Sequence, residues 1–271
     1  MLAIEDELVR FTMDDPVGRV AQDQAIRGDL AGMRLFDAPL VRVAATSDPL
    51  FARLKEPQAV GPQMRMPTDW LPGARSVVSY FFPMSERVRT SNRTPGRASD
   101  EWLHARIQGQ AFVLAAGKHL CDYLRSQGYE AVCPVAEPDF RASQLEEGNP
   151  AGSFRSNWSE RHVAYVCGLG TFSLSKGLIT ERGVAGRFGS IVTDAELPVS
   201  GRPYDGLYDY CSHCGACVAR CPVGAISLET GKDHTICYGA MIESKSIHPG
   251  YLGCGKCQTG VPCEAGIPVK R

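Results

Sequence analysis

Four cysteines near the carboxyl end of the chain have the spacing Cys211-x2-Cys214-x2-Cys217-x3-Cys221, and Pro222 follows at once. Bacterial ferredoxins have this spacing: three closely spaced thiolates bind one [4Fe–4S] cluster, and the fourth binds the neighbouring cluster. Zinc sites instead use two separated pairs of ligands, and a c-type haem requires a His directly after Cys-x2-Cys. The spacing therefore predicts an iron–sulfur centre and disfavours zinc and haem.

The cysteines that follow depart from an ordinary second ferredoxin run. Gly260 holds the place of its third cysteine, and Glu264 replaces the proline that should come after Cys263. Eight of the 11 cysteines lie after residue 210, and in a reducing compartment such crowding indicates metal rather than disulfides. We assign Cys211, Cys214, Cys217 and Cys263 to one [4Fe–4S] cluster and Cys221, Cys237, Cys254 and Cys257 to another.

Length and charge limit the remaining possibilities. A chain of 271 residues suits about two domains at roughly 150 residues each. Lys and Arg number 29 and Asp and Glu 30, so net charge gives no reason to expect nucleic acid as a partner. Apolar runs fall short of the roughly 18 residues of a membrane span, and the acidic start lacks the features of a secretory signal. We expect a cytoplasmic protein with no membrane partner.

Residues 1–200 show mixed helix and strand patterns. Apolar residues spaced by three and four predict a long helix from Ser99 or Asp100 to about Gln127. A second helix is predicted from Asn157 to Cys167, with Asn157 and Glu160 in an approximate capping box. Short β-branched and aromatic runs predict strands, and polar or Pro- and Gly-rich stretches predict loops. The strands are 40–45, 76–82, 129–135 and 188–193, and the loops are 85–98 and a linker at 198–210.

The linker predicts two domains, 1–200 and 201–271. Gly168-x-Gly170-x-x-Ser173 approaches a dinucleotide fingerprint, but it follows a helix and not a strand, so we exclude a Rossmann site. Glycines at 183, 186 and 189 could let backbone approach a large flat cofactor, although a glycine-containing turn before a strand explains them equally well. The other three cysteines, Cys121, Cys133 and Cys167, are expected to be core thiols.

Several of these segments resemble one family. The epoxyqueuosine reductases, which share an architecture with reductive dehalogenases, have similar segments over about residues 155–265. The resemblance implies an α+β fold, in which a nitroreductase-like α/β cobalamin-binding domain precedes a two-cluster ferredoxin-like domain. The similar segments are Ser159-Glu-Arg-His-Val-Ala-Tyr-Val-Cys-Gly-Leu-Gly170, Thr193-Asp194, the run from Cys211, Cys237 and Gly253-Cys-Gly-Lys-Cys-Gln258.

The resemblance also implies cofactors and a site. The two clusters would reduce a base-off cobalamin that has no protein His ligand, which agrees with the missing Asp-x-His-x-x-Gly sequence. Whether the large cofactor is cobalamin or flavin stays open. The residues that would bind it are Gly168, Leu169, Gly170, Thr171, Gly186 and Gly189.

One departure from the family concerns the proton donor. Epoxyqueuosine reductases have a donor Asp where this chain has Phe154, which cannot donate a proton. This disfavours reduction of a tRNA base and favours a small substrate. Glu160, His162 and Tyr165 are the remaining candidates, and side chains three or four apart on a helix share a face.

The leading hypothesis is therefore a corrinoid-dependent iron–sulfur reductase of an unidentified small substrate, supplied by a low-potential donor of the ferredoxin or flavodoxin type. One alternative is a non-catalytic electron carrier in which residues 1–200 dock a partner. Another is a corrinoid-handling protein that reduces or repairs the cofactor for a different enzyme.

Overall fold

The computed structural model describes residues 3–143 and 154–269. The helices in these ranges are α1 (Ile4–Asp14), α2 (Pro49–Arg53), α3 (Pro67–Trp70), α4 (Glu86–Ser91), α5 (Asp100–Ser126), α6 (Glu160–Cys167), α7 (Ala216–Ala219) and α8 (His234–Glu243). The strands are β1 (Leu40–Ala45), β2 (Ser76–Pro83), β3 (Ala131–Val132), β4 (Gly170–Phe172), β5 (Leu178–Thr180), β6 (Gly186–Thr193), β7 (Ile226–Ser227) and β8 (Gly231–Lys232).

An antiparallel sheet in the order β1-β2-β6-β3 forms the centre of the amino-terminal region. Every residue of β2 is buried, because helices cover both faces of the sheet. Alternate residues of a strand point to opposite faces, so Val78 packs in the same core as Phe112 of α5. Val77 instead packs with Val163 of α6. We call residues 3–200 the sheet region, within the described ranges.

The strand and helix predictions succeeded where the apolar pattern was long. β1, β2, α5 and β6 lie where they were predicted, and the Ser99 hydroxyl accepts the hydrogen bond from Trp102 N–H at the start of α5, at 3.2 Å. The predicted loop 85–98 is partly wrong, because the short helix α4 forms in its first half. The predicted strand 129–135 is limited to β3, since Pro134 cannot donate a ladder hydrogen bond and begins a 3-10 turn.

The predicted start of α6 is wrong. The Asn157 amide does not cap a helix: its Oδ1 accepts from Arg141 N–H at 2.9 Å and its Nδ2 donates to the Asp139 carbonyl at 2.8 Å. The helix begins at Glu160 and ends at Gly168, whose φ of +96° favours glycine. Residues after Gly168 form the β4–β5 hairpin, whose two strands were not among the predicted ones.

The remaining residues, 201–269, form the cysteine region. Its elements are short, and it docks on the loop between α4 and α5. Lys256 is 2% exposed, and its ammonium group donates to the carbonyls of Asn92 and Thr94 at 3.1 and 2.7 Å. Arg93 and Glu264 form a two-pronged ion pair at 2.6–3.1 Å. The division into domains at residue 200 stays a prediction.

The three remaining cysteines are buried, as predicted: Cys121 and Cys133 lie in the core beneath α5, and Cys167 lies in the core beneath α6. In the described ranges, no helix is both long enough and apolar enough to cross a membrane.

The aromatic cluster beneath α5 provides a test of the fold. Phe112 is fully buried, and its ring contacts those of Phe11, Phe36 and Phe82 at 4.9–5.4 Å between centroids. We expect Phe112→Ala to lower the free energy of unfolding by about 3–5 kcal/mol, measured by denaturant titration, because it leaves a cavity. Lys118→Ala on the exposed side of α5 is the control and should stay within about 0.5 kcal/mol of wild type; equal effects would contradict the packing described here.

Candidate iron–sulfur site and its surroundings

The first predicted cysteine set lines one cavity. Cys211, Cys214, Cys217 and Cys263 all border it, together with apolar side chains such as Ile179 and Val261. Three of these cysteines are close in sequence, whereas the fourth arrives from the end of the chain. It is held there because Val184 N–H donates to the Cys263 carbonyl at 2.9 Å. The structure therefore brings together the four thiols that we assigned to one cluster from the sequence.

Gly183 is explained by the same contact. Its φ is +83°, and a Cβ there would overlap the backbone at Glu264. A glycine is required for the end of the chain to pass this close to the segment before β6. This contact accounts for Gly183 without a cofactor.

The second predicted set also gathers in space. Burial raises the pKa of Cys237, and the nearby thiols of Cys257 and Cys221 raise it further. Burial likewise raises the pKa of Cys254, with contributions from Cys257 and Cys237. The Cys221 sulfur accepts a hydrogen bond from Ala225 N–H at 3.2 Å. Each member of this set therefore lies near another member.

The two sets are neighbours. Burial raises the pKa of Cys217, in the first set, to about 11. Among the other thiols, Cys257 of the second set raises this pKa the most. Burial raises the pKa of Cys263 to about 12. A thiol in such surroundings stays protonated near neutral pH unless a metal binds it and removes the proton.

Four thiols around one partly apolar cavity fit a [4Fe–4S] cluster. Within the described ranges, no three Cys, His, Asp or Glu side chains are arranged around a single metal ion. Each thiolate of a cubane binds a different iron, so the ligands of a cluster need not converge on one point. Cluster binding by the individual cysteines stays a prediction.

The second set lies against the sheet region. Gly255, with φ +70°, packs on the Trp102 ring so closely that no Cβ fits between them. A Cβ on Gly253 would lie 3.4 Å from side-chain carbons of both Leu103 and Arg106 on α5. The Cys257 thiol acts electrostatically on Arg161 of α6. The loop that bears Cys254 and Cys257 of the second set thus lies against helices of the sheet region.

Glu160 is the predicted proton donor with the most unusual surroundings. Its Oε2 accepts a hydrogen bond from the Ser190 hydroxyl at 2.7 Å, and that hydroxyl also accepts from Trp158 Nε1–H at 2.9 Å. Its Oε1 is enclosed and has no hydrogen-bond partner among the described residues. Burial raises the pKa of this carboxyl to about 8, so it holds a proton near neutral pH.

His162 and Tyr165 lie elsewhere on α6, and both contact the Phe172 ring, at 4.9 and 6.2 Å. Burial, followed by the charge of Arg161, lowers the pKa of His162 to about 4, so this imidazole is neutral near pH 7. The Tyr165 hydroxyl donates to the Asp205 carbonyl at 3.3 Å. The three predicted donors therefore do not converge, and only Glu160 holds a proton that it can release near neutral pH.

The residues predicted to bind the large cofactor are used for packing. Gly170 pairs with β5, where a Cβ would overlap the Ile179 carbonyl, and a Cβ at Gly168 would meet the Gly201 carbonyl at 2.6 Å. Leu169 and Thr171 are buried, and the Thr171 hydroxyl accepts from Tyr210 N–H at 2.8 Å.

The space beside Gly186 and Gly189 is likewise occupied by side chains of β2. The Phe81 ring occupies the space where a Gly186 side chain would be, and the Tyr80 ring does the same at Gly189. These contacts require glycine in any case, so the cofactor-binding role of all six residues stays a prediction.

Three arginines near the second set were not among the predicted site residues. Arg106 lies on α5, Arg161 on α6 and Arg187 on β6. Only Arg161 had a sequence signal, as a neighbour of Glu160. The other two come from separate elements, and no local pattern connects them.

Comparisons with known proteins bear on the fold and on the first cysteine run. The 4Fe-4S binding domain family, Fer4, matches residues 207–227, which supports a [4Fe–4S] cluster at this segment. The search of curated proteins found no match.

Among solved structures, the catabolic reductive dehalogenase NpRdhA is similar, with 18% identity and a TM-score of 0.51 over 85% of this chain and 30% of that one. A reductive dehalogenase described with a mechanism for B12-dependent dehalogenation has 17% identity and the same TM-score and coverage. The epoxyqueuosine reductase from Bacillus subtilis has 18% identity and a TM-score of 0.50 over 98% of this chain and 66% of that one.

At these identities the similarity establishes the fold. It confirms the predicted α+β class, with a sheet region of the type found in these enzymes followed by an iron–sulfur region. The chain spans 30% of the dehalogenase and 66% of the epoxyqueuosine reductase.

The grouping of the cysteines can be tested by pairwise substitution. We expect Cys211→Ala and Cys263→Ala to abolish the same electron paramagnetic resonance signal of the reduced protein, and to lower iron from about eight to about four per chain. Cys237→Ala and Cys254→Ala should abolish the other signal. Cys121→Ala, a core thiol, should keep both. Loss of different signals by Cys211→Ala and Cys263→Ala would contradict the assignment.

The enclosed carboxyl of Glu160 predicts a pH dependence of stability. Its pKa is about 8 in the folded state against 4.5 when unfolded, so between these values the folded state binds a proton that the unfolded state lacks. Stability therefore falls as pH rises through this window, by at most about 1.4 kcal/mol per pH unit. We expect Glu160→Gln to lose less unfolding free energy than wild type between pH 6 and 8, measured by denaturant titration. Parallel losses in the two proteins would show that this carboxyl ionises normally.

Proposed function

We propose that this protein is a corrinoid-dependent iron–sulfur reductase with two [4Fe–4S] clusters and a small organic substrate. The observation that carries the proposal is the position of the second cysteine set. It lies against the sheet region, through Gly255 against Trp102 and Cys257 near Arg161. Electrons that reach this set would therefore be delivered towards the sheet region.

The two sets have complementary positions. Cys214 of the first set is exposed, which suits entry of electrons from a low-potential donor of the ferredoxin or flavodoxin type. Cys217 and Cys257 lie near one another, so the two clusters would be close enough for electron transfer between them. The first set thus serves entry and the second serves delivery.

Polar groups near the second set suit a large polar cofactor. Arg187 Nε is enclosed without a hydrogen-bond partner among the described residues, and Arg106 and Arg161 lie close to it. Cobalamin has amide and phosphate groups that can accept from such donors. When bound, cobalamin supplies a cobalt centre that accepts electrons from iron–sulfur clusters and passes them to a substrate.

The protein's own contribution to the reaction is a proton. Of the predicted donors, Glu160 alone has a pKa near 8, which keeps the proton available at neutral pH. Ser190 holds the carboxyl in place through Oε2. Phe154 stands where the resemblance places an Asp, and its ring packs on His234 and Tyr238 at 5.6 and 5.3 Å. This is why we propose a substrate other than a tRNA base.

An electron carrier is the second candidate function. The exposed Cys214 and the adjacent sets would serve a carrier equally well. A carrier does not require polar groups without partners beside its inner cluster, however, and the arginines there favour the reductase. A corrinoid-handling protein would bind the same cofactor without reducing an added organic substrate.

Anaerobic purification, followed by reconstitution with iron, sulfide and cobalamin, tests the proposed function. We expect about eight irons and one cobalt per chain, with corrinoid absorbance changing when a low-potential reductant is added. Iron loading without corrinoid uptake would leave only the carrier. Corrinoid uptake without turnover of any added substrate would indicate the handling role.

A further inference from the structure

Three arginines from separate elements meet beside the second cysteine set. Arg106 comes from α5, Arg161 from the first turn of α6 and Arg187 from the start of β6. The Arg106 side chain lies beside Gly253, and Arg161 lies near Cys257. We call Arg106, Arg161 and Arg187 the arginine cluster.

The three charges act on one another. Burial lowers the pKa of Arg187 to about 9, and the charges of Arg106 and Arg161 lower it further in that order. Burial and then Arg106 lower the pKa of Arg161 in the same way. Arg161 nevertheless keeps contact with water, and the other two are half-buried. The three side chains are therefore partly desolvated by their surroundings and still accessible to a ligand.

Gathering like charges in such a place costs free energy, and in the described ranges no Asp or Glu forms an ion pair with any of them. Other arginines of the chain do have such partners: Arg27 pairs with Asp100 at 2.7 Å, and Arg93 pairs with Glu264.

The hydrogen bonds that the arginine cluster donates go to neutral groups. Arg161 Nη1 donates to the Lys176 carbonyl at 2.7 Å, and Arg187 Nη2 donates to Gln110 Oε1. Arg187 Nε is enclosed and donates to none of the described residues. The arginine cluster therefore keeps one unused donor, Arg187 Nε, and positive charge that no carboxylate of the described residues neutralises.

We propose that the arginine cluster binds an oxyanion, a carboxylate or phosphate carried by a ligand held beside the second cysteine set. Guanidinium groups donate parallel hydrogen bonds to both kinds of oxyanion. The inference deepens the proposed function, on which it rests: the oxyanion belongs either to an anionic organic substrate or to the phosphate in the nucleotide tail of cobalamin.

Calorimetric titration with inorganic phosphate tests whether the arginine cluster binds an oxyanion. The titrated protein is the whole chain, loaded with its iron–sulfur clusters. We expect saturable binding of one phosphate, weakened about ten-fold or more by Arg187→Gln and by Arg106→Gln, since each removes a charge-assisted hydrogen bond. Arg75→Gln is the matched control, because Arg75 is exposed and pairs with Glu196 at 2.9 Å, away from the cluster; its affinity should equal that of wild type. The iron content of each variant confirms that it has folded and loaded.

Two corrinoids distinguish the sources of the oxyanion. Cobalamin contains the nucleotide phosphate, and cobinamide lacks it. If cobalamin displaces inorganic phosphate and cobinamide does not, the cluster holds the tail of the cofactor. If both corrinoids bind and phosphate still binds beside them, the cluster holds the anionic group of the substrate.

The proposal is overturned if phosphate does not bind saturably, or binds wild type, Arg187→Gln and Arg75→Gln alike. The arginines would then only balance the negative charge of the thiolates. Displacement by both corrinoids would also overturn it, because the ring itself would cover the cluster. Failure of the reductase proposal looks different: phosphate binds at the arginines, but neither corrinoid does.

Discussion

The docking of the cysteine region on the loop between α4 and α5 is the contact that places everything else. Its centre is Lys256, a buried cation whose ammonium group is shared among Asn92 and Thr94. Because Lys256 stands between Cys254 and Cys257, fixing this side chain fixes the loop that bears two thiols of the second set. Burial of an unpaired cation is costly, so the carbonyl acceptors must be supplied at the right place. The loop after α4 is therefore as much part of the site as the cysteines are.

The cysteine region has only a small hydrophobic core. Among the side chains of this region that the structure describes, the buried hydrophobic ones are few: Tyr204, Ala225, Ile226 and Val261. A segment of this kind cannot stabilise itself by burial alone, and its helices and strands are too short to do so through hydrogen bonds. Under the proposed assignment, iron–sulfur clusters bound by the eight thiols would stabilise this region in place of a larger hydrophobic core, together with the ion pair of Arg93 and Glu264.

The sequence predicted most where the determinants are local. The spacing from Cys211 to Cys221 fixes how thiols are distributed around a cluster, and the alternation in β2 fixes which residues lie under each helix. It failed at Asn157, whose amide is used by residues sixteen and eighteen positions earlier, a tertiary choice that capping rules cannot anticipate. It also could not connect Arg106 with Arg187, since only the packing of α5 on β6 brings them together. The glycine pattern at Gly186 and Gly189 is visible in the sequence, but the rings of Phe81 and Tyr80 that require it come from another strand.

We propose that two sets of four thiols hold two separate cubanes, and that the second of these lies against the sheet region. The most direct measurement is iron-edge anomalous scattering from crystals of the anaerobically prepared protein. We predict two four-iron sites: one bounded by Cys211, Cys214, Cys217 and Cys263, and the other facing Arg161 through Cys257. A single ion at either position, or a cluster whose ligands come from both sets, would contradict the account.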